Sequence, residues 1–101
     1  MSVNSTNRDS EKYLERKLKK LIDNKGGLCL KLSSQDFTGL PDRLCLLIQG
    51  KVLFVEVKTK GKKPRKIQTV VHEKLRSLGF KVFILDSFDA FQTLENLLSN
   101  E

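Results

Sequence analysis

Two apolar runs, residues 43–48 and 52–57, stand three residues apart, and neither alternates in polarity. A strand with one wet face alternates, whereas one covered on both faces is apolar at consecutive positions. Leu44-Cys45-Leu46-Leu47-Ile48 and Val52-Leu53-Phe54-Val55 are of the second kind. The separator Gln49-Gly50-Lys51 has turn chemistry, so the pair predicts a β-hairpin buried between helices. The longest apolar run, Leu44 to Ile48, is far short of the ~20 residues of a membrane span. Met1 to Ser10 has no apolar core of a secretory signal, so membrane-spanning, secreted and collagen-like readings are excluded and a cytoplasmic location is expected.

The flanking segments supply the helices. Ser10 is a candidate N-cap, and Leu14, Leu18, Leu21 and Ile22 recur on one face before Gly26-Gly27 ends the helix. Leu28 to Leu32 reads as a short strand, and Ser33 to Pro41 as a loop broken by Gly39 and Pro41. After a basic loop, a second helix to Leu78 carries the stripe Ile67, Val70, Val71, Leu75 and Leu78, closed by Gly79. Phe80 to Leu85 is a strand, and Ser87 caps a last helix bearing Phe88, Phe91, Leu94, Leu97 and Leu98. The order is αβββαβα, an α/β chain with one domain over residues 10–101 and a flexible stretch over 1–9.

Against that apolar background, Glu56 and Lys58 are misplaced. Two residues apart, they share one face of the second hairpin strand, and an ionised Glu between Val55 and Val57 is costly unless compensated. With Gln49-Gly50-Lys51 as the loop, Asp42 falls opposite Lys58, and Glu56 is its diagonal neighbour within ~7–8 Å. A two-residue loop would turn Asp42 to the other face unless a bulge intervened. Two carboxylates are hard ligands suited to Mg²⁺ or Mn²⁺, and a lysine beside them can offset charge on phosphorus or orient a water. A solvated Glu–Lys pair is the bland alternative for the charges taken singly. The run Gly39-Leu40-Pro41-Asp42, then thirteen residues, then Glu56-Val57-Lys58, disfavours it.

Pro41-Asp42 with Glu56-Val57-Lys58 resembles the PD-(D/E)xK nuclease core, a restriction-endonuclease-like fold with a central mixed sheet flanked by helices. "GLPDR", "VLFVEVKTKG" and Gln68, ten residues after the lysine, are similar to the virus-type replication-repair nuclease (VRR-NUC) family over about Glu11 to Asp86. The resemblance implies that Asp42, Glu56 and the Val57 carbonyl ligate Mg²⁺ or Mn²⁺, that Lys58 is catalytic, and that Gln68 orients the lysine or the water. It also implies a catalytic acid and further metal ligand from the first helix, which fits Glu15 best, with Glu11 one turn earlier as the rival and a pairing with Lys19 as the ordinary alternative. Many relatives have Ser-Pro before the glutamine, where this chain has Arg65-Lys66-Ile67, so the loop geometry is expected to differ.

Nineteen Lys and Arg against twelve Asp and Glu give a net charge of +7, which attracts polyanions. Residues 58–66 carry six positive charges and no negative one, so Lys60, Lys62, Lys63, Arg65 and Lys66 are candidates to grip DNA phosphates. His72, read as a polar surface residue, and Arg76 share a stripe with Arg65 and Gln68 that would continue the track. Cys29 and Cys45 lack metal-ligand spacing and read as buried thiols, a disulfide being disfavoured without a secretory signal.

A core this small leaves no room for a target-recognition domain, so shape rather than sequence is the expected determinant. Stand-alone members that the chain resembles look like homodimers that cleave four-way (Holliday) junctions. The expectation is thus a metal-dependent, structure-selective endonuclease acting on branched DNA; Phe88, Phe91, Leu94 and Leu98 are a candidate dimer surface, with packing inside the chain as the preferred reading. A monomeric flap or nicking nuclease, and a non-catalytic nucleic-acid binder on the same fold, are the alternatives; filled ligand positions speak against the second.

Overall fold

The computed structural model describes residues 7–33, 35, 37–59 and 61–99. Ser10 starts the first helix as its side chain predicts: Tyr13 N–H donates to Ser10 Oγ at 3.2 Å and Leu14 N–H to its carbonyl at 2.9 Å. This helix, α1 (Glu11–Asn24), buries Leu14, Leu18, Leu21 and Ile22, the predicted stripe. It ends where Gly26 takes φ +79°, so that Gly26 N–H reaches the Asp23 carbonyl and Gly27 N–H that of Ile22. Residues 1–6 lie outside the described residues. Part of the expected flexible stretch is docked, because Phe88 N–H donates to Asp9 Oδ1 at 2.8 Å and the Arg8 guanidinium lies 3.9 Å from the Phe88 ring centroid.

Strands β1 (Leu28–Lys31), β2 (Arg43–Leu47), β3 (Lys51–Val57) and β4 (Lys81–Leu85) form one sheet in that order, helix α2 (Lys66–Ser77) joining β3 to β4. The first three are antiparallel neighbours, and β4 pairs parallel to β3. The sheet is therefore mixed, as expected. A parallel neighbour needs a long crossover, and α2 supplies it.

The hairpin register corrects the sequence arithmetic. The turn is Ile48–Gly50, a residue earlier than expected, and Leu47 faces Lys51. Gln49 (φ 65°) and Gly50 (φ 74°) both take the left-handed conformation, which lets the chain reverse over these residues. Continuing the register past Arg43↔Val55 puts Asp42 across from Glu56 rather than Lys58. The shift is two positions, so parity is kept and the three charged residues remain on one face.

The other face carries the core. Cys45, Leu53, Val55, Val57 and Leu85 pack with the α1 stripe and with Phe91 and Leu94 of α3 (Phe88–Ser99). Ser87 caps α3, Ala90 N–H donating to its Oγ at 3.0 Å. Phe91 and Leu94 are buried in the chain's own core, and Phe88 and Leu98 are packed against it. The last helix thus packs inside the chain, the preferred reading from sequence, rather than forming an apolar dimer surface: an α3 turned outward would leave the sheet face uncovered.

Helix α2 also departs from its predicted stripe. It buries Gln68, Val71 and His72, while Ile67, Val70 and Leu78 are 42%, 57% and 59% exposed. The buried face is rotated about the helix axis toward two polar side chains, and the reason lies on β3.

Candidate active site

Glu56 is the penultimate residue of β3, and none of its surface is exposed. Its neighbours Val55 and Val57 point into the core, which forces Glu56 to the opposite face, toward α2. There Gln68 Nε2 donates to Glu56 Oε2 at 2.8 Å, and Lys58 Nζ lies 3.1 Å from the same oxygen. Gln68 is held at its other end, where Arg65 N–H donates to Oε1 at 2.8 Å. The amide thus satisfies a free N–H at the start of α2 and aims its own N–H groups at the carboxylate. Gln68 fixes the position of Glu56 and is itself fixed by the helix start.

The second carboxylate oxygen is different. Among the described residues, Glu56 Oε1 is buried with no hydrogen-bond partner, and so is His72 Nε2, 3.8 Å away. His72 is 2% exposed, which corrects its reading as a surface residue on a phosphate track. It lies one turn after Gln68, so the two share the face that Glu56 requires. Burial, and next the charge of Asp42, push the Glu56 carboxyl above the ordinary carboxylate range, with Lys58 and Gln68 opposing. Burial, then the cations Arg76 and Lys58, hold the His72 imidazole below its usual value.

Asp42 arrives from the loop before β2, and its Oδ2 accepts Val57 N–H at 2.8 Å. Since the N–H and C=O of a strand residue leave by the same edge, the Val57 carbonyl also faces the Asp42 side. Gly39 shapes the approach: at φ +96° a side chain is strained, and a Cβ would lie 2.8 Å from Val71 Cγ2 and 2.9 Å from the Ile67 carbonyl. The loop therefore lies close against α2, with Pro41 fully buried.

The acids of α1 have partners of their own. Glu15 pairs with Arg43, Oε2 to Nη2 at 3.5 Å, and Arg43 follows the parity of the core face. Glu11 accepts from Thr59 Oγ1 at 3.0 Å, next to Lys58. The structure brings together Asp42, Glu56, Lys58 and Gln68, and leaves Glu15 with Arg43. Lys62, Lys63, Arg65 and Lys66 are exposed before or at the start of α2, and Lys60 lies outside the described residues. Arg76 is held by Glu73 Oε2 at 3.2 Å and by the Val82 carbonyl at 3.0 Å, at the edge of β4.

Among the described residues, no three His, Cys, Asp or Glu side chains converge to hold a metal unaided. What is present is a pair of carboxylates near enough for Asp42 to raise the pKa of Glu56, a carbonyl on the same edge, and a buried carboxylate oxygen with no partner. Hard oxygen donors with open positions fit Mg²⁺ or Mn²⁺, which keep several waters or phosphate oxygens, better than a closed structural cage. Sequence reasoning missed His72 beneath Glu56 and the Thr59–Glu11 bond. The four-residue step from Gln68 was the available signal for the first; nothing local announces the second.

A mixed four-stranded sheet whose third strand leads into Glu-x-Lys, with an aspartate across from the glutamate, defines a PD-(D/E)xK nuclease core. No family model matches the chain. It is 42% identical over 79 residues to "Putative nuclease p44" of Acyrthosiphon pisum secondary endosymbiont phage 1, covering 78% of this chain and 81% of that protein. A solved structure described as a VRR_NUC domain superposes with a TM-score of 0.78 and 36% identity, covering 83% of this chain and 91% of that one. The chain belongs to the VRR-NUC family and is a nuclease of that type. No helix among the described residues is long and apolar enough to cross a membrane.

Proposed function

We propose that this nuclease is metal-dependent and structure-selective, hydrolysing phosphodiester bonds in branched DNA, four-way junctions foremost, as a homodimer in the cytoplasm of a bacterial or phage-infected cell. The observation that carries the metal dependence is Glu56: a carboxylate with no exposed surface, one oxygen bonded by Lys58 and Gln68 and the other without a partner among the described residues. A buried charge left half-satisfied is costly, and a cation relieves that cost. Asp42, Glu56 and the Val57 carbonyl are the proposed ligands for Mg²⁺ or Mn²⁺. An ion held by these residues would supply Lewis-acid chemistry, polarising a phosphate oxygen and lowering the pKa of a water.

The remaining residues have roles of their own. Lys58 offsets negative charge building on the scissile phosphate, and Gln68 is a positioning residue that acts through Glu56. The first-helix acid is Glu15 or Glu11; loss of cleavage on Glu15→Gln but not Glu11→Gln would assign it to Glu15, and the reverse to Glu11. Lys60, Lys62, Lys63, Arg65 and Lys66 grip the DNA backbone. Neutralising Lys60, Lys62 and Lys63 should flatten the slope of log affinity against log salt by up to ~3, with turnover at saturating DNA little changed.

A two-fold dimer presents two active sites to a substrate that itself has two-fold symmetry. Support for self-association comes from the edge strand β1, where Leu28 and Leu30 are 58% and 41% exposed. The test is a panel of labelled branched and linear DNAs with Mg²⁺, Mn²⁺ or EDTA, run beside a sizing measurement. Paired nicks on opposing strands of a four-way junction are expected, abolished by EDTA, from a species of twice 11.5 kDa. Cleavage undiminished by EDTA overturns the metal reading. A monomer cutting only one strand of flaps overturns the junction reading.

A further inference from the structure

Cys29 and Cys45 are facing partners across the antiparallel β1–β2 ladder. The phase of that ladder is set at its far end, where Leu32 N–H donates to the Asp42 carbonyl at 2.8 Å. Leu32 and Asp42 are therefore a hydrogen-bonded pair, and alternation makes Leu30–Leu44 and Leu28–Leu46 the same. Cys29–Cys45 falls on the intervening, non-hydrogen-bonded position. Facing Cα atoms there are about 4.5 Å apart with their side chains drawn close, at the short end of the ~4.4–6.8 Å that a disulfide spans.

The two thiols are free and unequal. Cys45 has no exposed surface and packs in the core, whereas Cys29 is half-buried on the edge strand. The facing Cys45 thiol pulls the Cys29 thiol down to about 7, against its burial, with the nearby Arg43 charge assisting. The proximity of Cys29, together with burial, pushes Cys45 well above the usual thiol range. An accessible thiol with a low pKa, facing a buried one, has the division of labour of an attacking and a resolving cysteine.

We propose that Cys29 and Cys45 are a modification site that forms a reversible cross-strand disulfide on exposure to a low-molecular-weight disulfide. The Cys29 thiolate attacks one sulfur of the small disulfide, forming a mixed disulfide and releasing one thiolate. That thiolate takes the proton of Cys45, whose sulfur then attacks Cys29 and expels the second small thiolate, protonated by solvent. Two protein thiols are oxidised by two electrons and one small disulfide is reduced to two thiols. The product staples β1 to β2 three residues after Asp42. A disulfide across facing strands at the short end of the range is readily reduced, which suits a transient state in a reducing compartment.

The inference rests on the β1–β2 register and is independent of the nuclease assignment. The full chain is incubated with oxidised glutathione at neutral pH, and its peptides are mapped without reduction. Expected is a Cys29–Cys45 linked peptide pair in a chain that stays monomeric in denaturant, lost on adding dithiothreitol. Cys45→Ala should stop at a glutathione adduct on Cys29, and Cys29→Ser should give no adduct while folded, with circular dichroism confirming that both variants fold. Accumulation of the Cys29 adduct in the wild-type chain, disulfide-linked dimers, or two thiols that stay reduced until the chain is unfolded would each overturn the proposal.

Discussion

Helices α1 and α2 are of similar length and each lies against the same sheet, yet they bury opposite kinds of residue. The inward face of α1 is Leu14, Leu18, Leu21 and Ile22; that of α2 is Gln68, Val71 and His72. The sheet explains the contrast. The side facing α1 presents Val55 and Val57, for which any close-packed apolar surface is a good partner. The side facing α2 presents the carboxylate of Glu56, which only donors can satisfy. A helix that must serve an ion turns its donors inward and accepts exposed Ile67 and Val70 as the consequence. One side of the molecule is built for stability and the other for chemistry.

The sharpest test of that division is Glu56→Ala. Cleavage should fall to background while the fold persists, since burial disfavours an ionised Glu56, which offsets the loss of the acceptor shared by Gln68 and Lys58. Thermal unfolding of the metal-free protein should move little or rise. A well-folded Glu56→Ala protein that still cuts DNA with Mn²⁺ present would break the comparison at its centre.

Leu18→Ala should do the reverse. Leu18 is fully buried, and removing it should cost about 2–5 kcal/mol of stability in denaturant titration. The molecules that remain folded should keep their turnover per active site. A stable Leu18→Ala protein with crippled turnover would mean that the buried face of α1 serves the active site rather than the core.

Gln68→Ala is the counterpart on α2. Losing the bond to Glu56 Oε2 should lower cleavage roughly 10–100-fold, as removal of a group orienting a metal ligand does, with a matching loss of Mg²⁺ affinity measured by calorimetry. Gln68→Glu, which puts a second acid beside Glu56, should not restore it. Unchanged metal affinity would reduce Gln68 to a helix-start residue whose bond to Arg65 N–H is its whole purpose.

The smallest effect belongs to Val70. At 57% exposure, Val70→Ser should shift stability by no more than about 0.5 kcal/mol, although helical periodicity in the sequence assigns Val70 to the buried stripe. A cost of several kcal/mol would show that α2 packs through its apolar stripe and that the rotated face is wrong.

The sequence by itself determined the element order, the capped ends of the helices and the α1 stripe, because each depends on residues within a few positions of one another. Ser10 and Ser87 accept from N–H groups three residues on, Gly26 and Gly79 sit where positive φ is needed, and the α1 leucines repeat at helical spacing. The anomalous charges Glu56 and Lys58 were equally legible, because an apolar strand makes them conspicuous. Tertiary structure alone decided the rest. Moving the turn by one residue brought Asp42 across from Glu56, since hairpin register depends on where the chain reverses. The buried face of α2 was fixed by what the opposing strand presents, which no periodicity within α2 records. Glu15 reached Arg43, and Glu11 reached Thr59 forty-eight residues away, through the packing of α1 on the sheet. Local chemistry chooses an element and its ends; the partner across the interface chooses which of its faces is inside.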